Sequence, residues 1–541
     1  MKIRWIPEVV GATLLLLFPM LAPLVTPGYL FVYHHQLPLT KLIAGLALDA
    51  LGIAVAGMMM LVILSGLGSV PRRLMGGLLA GLFLWCIAYN AYALSLLNIW
   101  PALNLTTAPR ASFLTALAAW YHRWNFRLVI AVPSVMAALA WLKPGMARPM
   151  IRATRLALTM VAFCALWIVP EIAVLDWRAH EPTATVEAHA ETQPVRSTRI
   201  VWVLFDELSY KLTLSDPPDG LQFPNLKRLH AQSISFGNLE PVANYTDLVI
   251  PSLLGRRSIE QIRSTPESRL IYLDRVTHKW AAYDASQTLF ANAQRYGWNP
   301  GVVGWMIPYC RLFAGILTNC FWEPGAAAGL PFESWVSNRD STFSYAVALP
   351  RAFAAEVHSR RHVDEKRRLD WILDYASLME HLKTTLRDER IHFIYAHLPV
   401  PHPPGIYDRR THQLCGCGNY LDNLALADDT LGTLMREIEE SSGADPTTVI
   451  VSSDHSWRVP MWRNTINWTA EEERVSRGQF DTRPVFMIHF AGQKSGSEIA
   501  APMPELVEHD VIEGMLEGKV IGPEDVERLA GSDRMAAKGP E

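Results

Sequence analysis

Charge is scarce in this sequence. Only 19 % of its 541 residues are Asp, Glu, Lys or Arg, and 50 % are hydrophobic, whereas an average soluble domain carries about 25 % charge. The net charge of −3 gives no basic footprint of the kind that holds nucleic acid. Cysteine is scarce too: six residues do not make a disulfide-held miniprotein. The 33 glycines and 36 prolines follow no collagen-like period, and the apolar content is too high for disorder. No internal repeat is visible. What remains is a membrane protein, or an enzyme with a membrane part.

The apolar residues are unevenly spread. Long apolar runs cover Val9–Tyr33, Leu42–Val70, Leu74–Leu97, Leu128–Leu142 and Leu156–Leu175. A spanning helix needs about 20 such residues, and the short fourth run is flanked by Arg127 and Lys143, which can snorkel to the interfaces. The expectation is a five-helix transmembrane bundle over residues 1–177. Asp49, inside the second run, is costly in hydrocarbon and is expected to face the bundle. With the N-terminus cytoplasmic, the inner side holds Lys2, Arg4, Arg72, Arg73, Lys143, Arg148, Arg152 and Arg155, and the outer loops hold Lys41, Arg110, Arg123 and Arg127. This bias places everything after Trp177 outside the cytoplasmic (inner) membrane, on the extracytoplasmic side.

A polar linker over 178–198 follows, and then the pattern changes. Arg199–Phe205, Ile234–Phe236, Ile391–Ala396, Thr447–Val451 and Pro484–Phe490 read as strands, with helices over Phe223–Ser233 and Tyr420–Glu440. Short apolar strands alternating with helices predict an α/β domain over 199–495, with a doubly wound, mainly parallel sheet. A C-terminal extension, 496–541, is expected to fray beyond Ala530. In such sheets ligands bind at the carboxyl ends of strands.

Three polar clusters fall there. Asp206 and Glu207 follow the first strand, Asp454 and His455 follow TTVIVSS, and Thr246 precedes a helix with Pro251 in its first turn. Hard oxygen ligands with an imidazole suit one divalent cation such as Mn²⁺, Mg²⁺ or Zn²⁺. A metal beside the Thr246 hydroxyl would make it a usable nucleophile, and a helix N-terminus favours a phosphate.

These stretches resemble the alkaline phosphatase/sulfatase superfamily. The match is to its membrane-anchored branch, which includes lipoteichoic acid synthases and lipid A phosphoethanolamine transferases. The residues that carry it are VLFDELS around Asp206, FPNLKRLHAQSISFGN leading to Thr246, IPSLLGR after it, YAHLPVPHPP around His397 and His402, and YLDNLALADDTLGTLMREI leading to TTVIVSSDH. The resemblance implies an alkaline phosphatase-like fold. It makes Asp206, Glu207, Thr246, Asp454 and His455 metal ligands and Thr246 the nucleophile as well. His397 and His402 would be substrate-side histidines that steady the charged group or protonate the leaving oxygen. Arg256 and Arg257 would bind phosphate oxygens.

The departures are informative. Formylglycine sulfatases need Cys or Ser in a C/S-x-P-x-R pattern, and the aligned stretch here is Val249-Ile-Pro251-Ser-Leu253. The family's DHG is Asp454-His455-Ser456, and the next histidine, His489, falls inside a strand. A single-metal site is the simpler expectation. Cys310, Cys320, Cys415 and Cys417 lie in the outer domain, and an oxidising compartment allows Cys310–Cys320 and Cys415–Cys417 bridges. A metal-binding CxC is the alternative. The aromatic stretch Trp305–Trp322 is either core or a lipid-facing lip.

The leading expectation is an integral membrane hydrolase or transferase acting on phosphate esters or diesters of envelope lipids or glycans. A sulfate ester or phosphonate hydrolase is the alternative, and a catalytically inactive membrane scaffold is the third reading.

Overall fold

The structure, a computed structural model, describes residues 5–25, 39–96, 127–178, 185–186, 197–265, 267, 269–324, 340–358, 360–441, 446–463, 465, 467 and on to 537. The chain forms two compact units. One comprises Met1–Glu181, Ser264–Ser268 and Gly329–Val363, and the other Pro182–Arg263, Arg269–Ala328 and Asp364–Glu541. The expected boundary at residue 177 is therefore crossed twice by segments from later in the chain.

The first unit is helical. It contains α1 (Ile6–Val25), α2 (Leu39–Gly66), α3 (Ser69–Leu96), α4 (Arg127–Leu142), α5 (Pro144–Ala162) and α6 (Ala165–Arg178). Glycines let these helices approach closely. A Cβ on Gly11 of α1 would sit 1.8 Å from the Leu158 carbonyl oxygen of α5, and one on Gly81 of α3 would sit 2.4 Å from the Pro133 Cα of α4. Glu8 and Arg155 pair across α1 and α5 through bonds of 2.7 to 3.1 Å. Three segments are long and apolar enough to cross a membrane: Leu39–Gly66, Ser69–Asn90 and Pro144–Arg178. Five spans were expected. The first run enters α1, a helix of 20 residues, and the fourth forms the shorter apolar helix Arg127–Leu142. The run 26–33 and Leu97, both within the expected spans, lie outside the described residues.

The second unit is built on one nine-stranded sheet. In chain order its strands are β1 (Thr185–Val186), β2 (Arg199–Phe205), β3 (Ile234–Phe236), β4 (Pro300–Trp305), β5 (Asn319–Glu323), β6 (Phe393–Leu398), β7 (Thr447–Ser453), β8 (Phe486–His489) and β9 (Ser497–Ile499). The spatial order is β1-β5-β4-β6-β2-β7-β8-β3-β9. Pairing is parallel from β5 through β7, and antiparallel at β1–β5, β7–β8 and β8–β3. The sheet is thus mainly parallel with a mixed flank. The expected linker contributes β1, while 179–184 and 187–196 lie outside the described residues.

Strand β2 shows why the sheet is covered on both faces. Its sequence RIVWVLF has no polar interruption, so alternate residues can bury on opposite sides. Val201, Val203 and Phe205 pack with α7 (Pro224–His230), α10 (Arg360–Leu386) and α11 (Tyr420–Ser441). Ile200, Trp202 and Leu204 pack with α8 (Thr246–Gly255), α13 (Val507–Glu517) and α14 (Pro523–Ala537). The C-terminal region is thus no frayed appendage: β9 joins the sheet, α13 fills one face, and the helix runs to Ala537. Residues 538–541 lie outside the described residues.

Both bridges, Cys310–Cys320 and Cys415–Cys417, are formed. Trp305 and Trp322 are fully buried, so the aromatic stretch between them is core rather than a lip.

Candidate active site

Three neighbouring strands end at one level. Leu398 of β6 and Ser453 of β7 both stand opposite Phe205 of β2. Asp206 and Asp454 therefore occupy equivalent positions just past two strand ends, and His397 lies one residue before the end of the third. All three are fully buried. One ligand atom from each lies within 4.8 Å of the other two. Asp206 Oδ1, His397 Nε2 and Asp454 Oδ2 have no hydrogen-bond partner. Since about 90 % of buried polar groups are satisfied, three orphans at one point mark a place for a further group. Two carboxylates and an imidazole suit a divalent cation.

Thr246 and His455 adjoin this group. Thr246 opens α8 and is 4 % exposed. Its Oγ1 donates to Asp206 Oδ2 at 3.4 Å and lies 3.3 Å from His455 Nε2. His455 Nδ1 lies 3.1 Å from the Ser456 carbonyl, which can only accept, so Nδ1 carries the proton. Nε2 then presents a lone pair, 3.1 Å from Asp454 Oδ2. Two acceptors so close need a proton or a cation between them.

Burial pushes Asp206 up to about 7, against the nearby Arg458 guanidinium, and Asp454 up to about 7, with the Asp206 charge adding to it. Burial also holds His397 down at about 4, and His402 and His455 well below the ordinary range. The imidazoles are neutral lone-pair donors, as ligation requires. A cation would restore the charged form of the carboxylates, which burial alone opposes.

Glu207 goes elsewhere. Its φ of 66° is a left-handed conformation rare for a side chain of this kind. Its carboxylate accepts from Arg458 Nε and from Trp462 Nε1, the latter at 2.9 Å, rather than joining the Asp206–His397–Asp454 group. Burial pushes it up to about 8, opposed by Arg458. Its backbone still serves the site, the amide donating to Asp454 Oδ1 at 3.1 Å.

His402 lies beside the group. Its amide donates to the Asp206 carbonyl at 3.1 Å, and its ring stacks on Trp371 at 5.2 Å and meets Trp462 edge-on at 5.1 Å. Nδ1 donates to the Pro403 carbonyl, which leaves Nε2 as an acceptor.

Arg256 and Arg257 are not brought to the site. They follow the last residue of α8, about 15 Å along its axis from Thr246. Arg256 pairs with Asp510 and Arg257 donates to Gln287 at 2.9 Å. The arginine at the site is Arg458, three residues beyond His455, which sequence reasoning missed although it shares the loop after β7. Also missed were Tyr309, whose hydroxyl lies 2.9 Å from His397 Nδ1, and the buried acids Glu505 and Glu508. Both acids are pushed well up by burial. No motif announces them, because they come from the region read as an extension.

The sulfatase family profile matches residues 198–511, more than half of the sequence. The chain belongs to the sulfatase family. None of the curated proteins matches it. Among solved structures, the PsFucS1 sulfatase from Pseudoalteromonas sp. is 12 % identical, with 60 % of this chain and 68 % of that one covered and a TM-score of 0.38. The lipoteichoic acid synthase LtaP from Listeria monocytogenes is 11 % identical over 62 % and 77 %, with a TM-score of 0.35. Murine ectonucleotide pyrophosphatase/phosphodiesterase 5 is 10 % identical over 59 % and 95 %, with a TM-score of 0.32.

Proposed function

We propose that the chain is a membrane-anchored, metal-dependent hydrolase or transferase acting on phosphate esters or diesters of envelope lipids or glycans. In this reading α2, α3 and α5–α6 span the inner membrane and the sheet domain lies on the extracytoplasmic side. The observation that carries the chemistry is the placement of Thr246 Oγ1 at a helix N-terminus, within 3.4 Å of Asp206 and 3.3 Å of His455.

Asp206, His397 and Asp454 would hold one divalent ion, joined by His455 Nε2 and Thr246 Oγ1. When bound, such an ion lowers the pKa of a hydroxyl and offsets phosphate charge. Thr246 Oγ attacks phosphorus, its proton passing to solvent or a neighbouring acceptor. The bond from phosphorus to the leaving oxygen breaks, and that oxygen takes up a proton. The resulting threonine phosphoester is then attacked by water or by an acceptor hydroxyl, the bond from phosphorus to Thr246 Oγ breaks, and Oγ takes up a proton from solvent to restore the hydroxyl. His402 Nε2, an acceptor by its tautomer, takes the proton of that second nucleophile. The α8 N-terminus favours the negative phosphate throughout.

The test is turnover of an aryl phosphodiester by full-length protein with Mn²⁺, together with the mass of Thr246 after lipid exposure. Thr246→Ala should abolish turnover and the adduct while the protein keeps its fold and metal. Unchanged metal-dependent turnover in Thr246→Ala overturns the mechanism. Family membership also favours a sulfate ester hydrolase, and a higher rate on aryl sulfate than on aryl phosphodiester would select it.

A further inference from the structure

Asp49 is the only acid in α2 and lies within an apolar span. A helix from much later in the chain, Thr342–His358, packs against α2 inside the same compact unit. The two backbones meet at Gly45, where a Cβ would stand 2.9 Å from Tyr345 Cβ, and Tyr345 is fully buried. Lys41 Nζ donates to the Asp340 carbonyl at 3.1 Å and fixes the pair further.

Close to this contact the helices flank an open groove of about 630 Å³, lined by Leu48, Asp49, Phe343, Val347, Pro350 and Arg351 among others. Phe343, Val347 and Arg351 recur at helical spacing, so one face of the later helix supplies both apolar wall and guanidinium. Asp49 Oδ2 is buried without a hydrogen-bond partner. No ion pair or hydrogen bond joins it to Arg351 among the described residues. An orphaned carboxylate in an apolar span is costly and points to a cationic partner. The guanidinium on the same groove suits an anion, phosphate above all. The remaining wall is apolar, Phe343 being 71 % and Leu48 45 % exposed.

We propose that this groove holds a resident phospholipid whose headgroup carries both an amine and a phosphate. The ammonium meets Asp49, the phosphate meets Arg351, and the acyl chains lie against Phe343 and Val347. Neither charged residue belongs to the Thr246 site, so the lipid is bound here and not turned over. The inference rests on the membrane-spanning reading of α2 given above.

The experiment uses full-length protein extracted in detergent micelles doped equally with phosphatidylethanolamine, phosphatidylcholine and phosphatidylglycerol. Retained lipid is counted by native mass spectrometry. Wild type should retain phosphatidylethanolamine about tenfold over phosphatidylglycerol, which has no ammonium. Phosphatidylcholine, whose ammonium cannot donate a hydrogen bond, should fall between them. Asp49→Asn and Arg351→Gln should each lose the preference, while Arg351→Lys should keep most of it. Asp49→Asn removes a half-buried charge and should fold and turn over a soluble phosphodiester as wild type does. Equal retention of the three lipids by wild type overturns the site while leaving membrane anchorage intact, and so does a preference unchanged in Asp49→Asn. A wild-type chain recovered without detergent overturns both.

Discussion

Three buried acids lie side by side at the end of the sheet, and they are handled in opposite ways. Glu207 has its counter-charge in the fold: Arg458 and Trp462 take up its carboxylate, and the cluster closes on itself. Asp206 and Asp454 face each other's charge, a histidine lone pair and no cation of their own, with an orphaned oxygen on each. Adjacent positions in the sequence, Asp206 and Glu207, thus divide into a carboxylate with an oxygen left unpartnered and a carboxylate that braces the loop beyond it. The left-handed turn at Glu207 sends the two side chains apart. The count of acids in a motif does not give their surroundings, which the pairing of each acid in the fold decides.

The largest expected effect comes from breaking the closed pair. Arg458→Met leaves Glu207 buried with Trp462 but without its counter-charge, and removing one member of a buried ion pair costs about 3–5 kcal/mol. Arg458 also lies over the Tyr245 ring at 5.7 Å, next to Thr246, so turnover should fall as well. Thermal unfolding of Arg458→Met, Glu207→Gln and the double variant forms a cycle. The double variant should regain at least half of the stability that Arg458→Met loses. If the single change is neutral, the two acids are not handled differently after all.

The open pair should answer in the opposite sense. Asp454→Asn keeps an oxygen for the amides of Glu207 and His455, which donate to Oδ1 at 3.1 and 2.9 Å. It should lower metal-dependent turnover by more than about 100-fold, beyond what loss of a mere supporting group costs. Yet metal-free Asp454→Asn should unfold at or above the wild-type temperature, because a poorly compensated buried charge is gone. The pH dependence follows the same logic. In the fold Asp206 and Asp454 are raised to about 7, so the folded state holds protons that the unfolded chain releases near pH 4. Their stabilising contribution is complete below about pH 4 and is lost as the pH rises through about 7. His397 works the other way: lowered to about 4, it favours the fold above its ordinary value of 6.5 and withdraws that support as the pH falls through about 4. Metal-free protein should therefore gain stability from pH 8 to about 6.5. Excess Mn²⁺, which competes with protons for the same oxygens, should flatten or reverse that slope. Melting curves across this range, with chelator and with Mn²⁺, check both signs.

Much of this was legible in the sequence, for identifiable reasons. RIVWVLF is apolar without interruption and bounded by acids, so β2 and the place of Asp206 could be read directly. The same holds for TTVIVSS and Asp454. The strand expected at Ile391–Ala396 runs instead over Phe393–Leu398, and that shift puts His397 at the strand end, level with the acids, rather than in the loop with His402. Periodicity cannot fix a strand's last residue where apolar residues continue through it. The five apolar runs fall in helices α1–α6, the fifth being shared by α5 and α6, and three segments among the described residues are long and apolar enough to span. Arg458, Glu505 and Glu508 were invisible because their parts depend on long-range contacts. Nothing local distinguishes a buried arginine after β7 from a surface one.

The smallest expected effect separates those two kinds of arginine. Arg256 and Arg257 attract attention because they follow the helix that Thr246 opens, but they stand at its C-terminal end. The Arg256 side chain is 55 % exposed in its pair with Asp510. Exposed pairs of this kind contribute about 0–1 kcal/mol. Arg256 also sits at φ 50°, where the helix has already turned away, and ten residues of α8 separate it from the Thr246 end. Arg256→Ala and Arg257→Ala should each leave kcat/KM for an aryl phosphodiester within about twofold of wild type and shift the melting point little. A loss above tenfold in either would mean that substrate reaches around α8 to its far end. Anion binding would then extend beyond the helix N-terminus, and the compact site at the three strand ends would be only part of the binding surface.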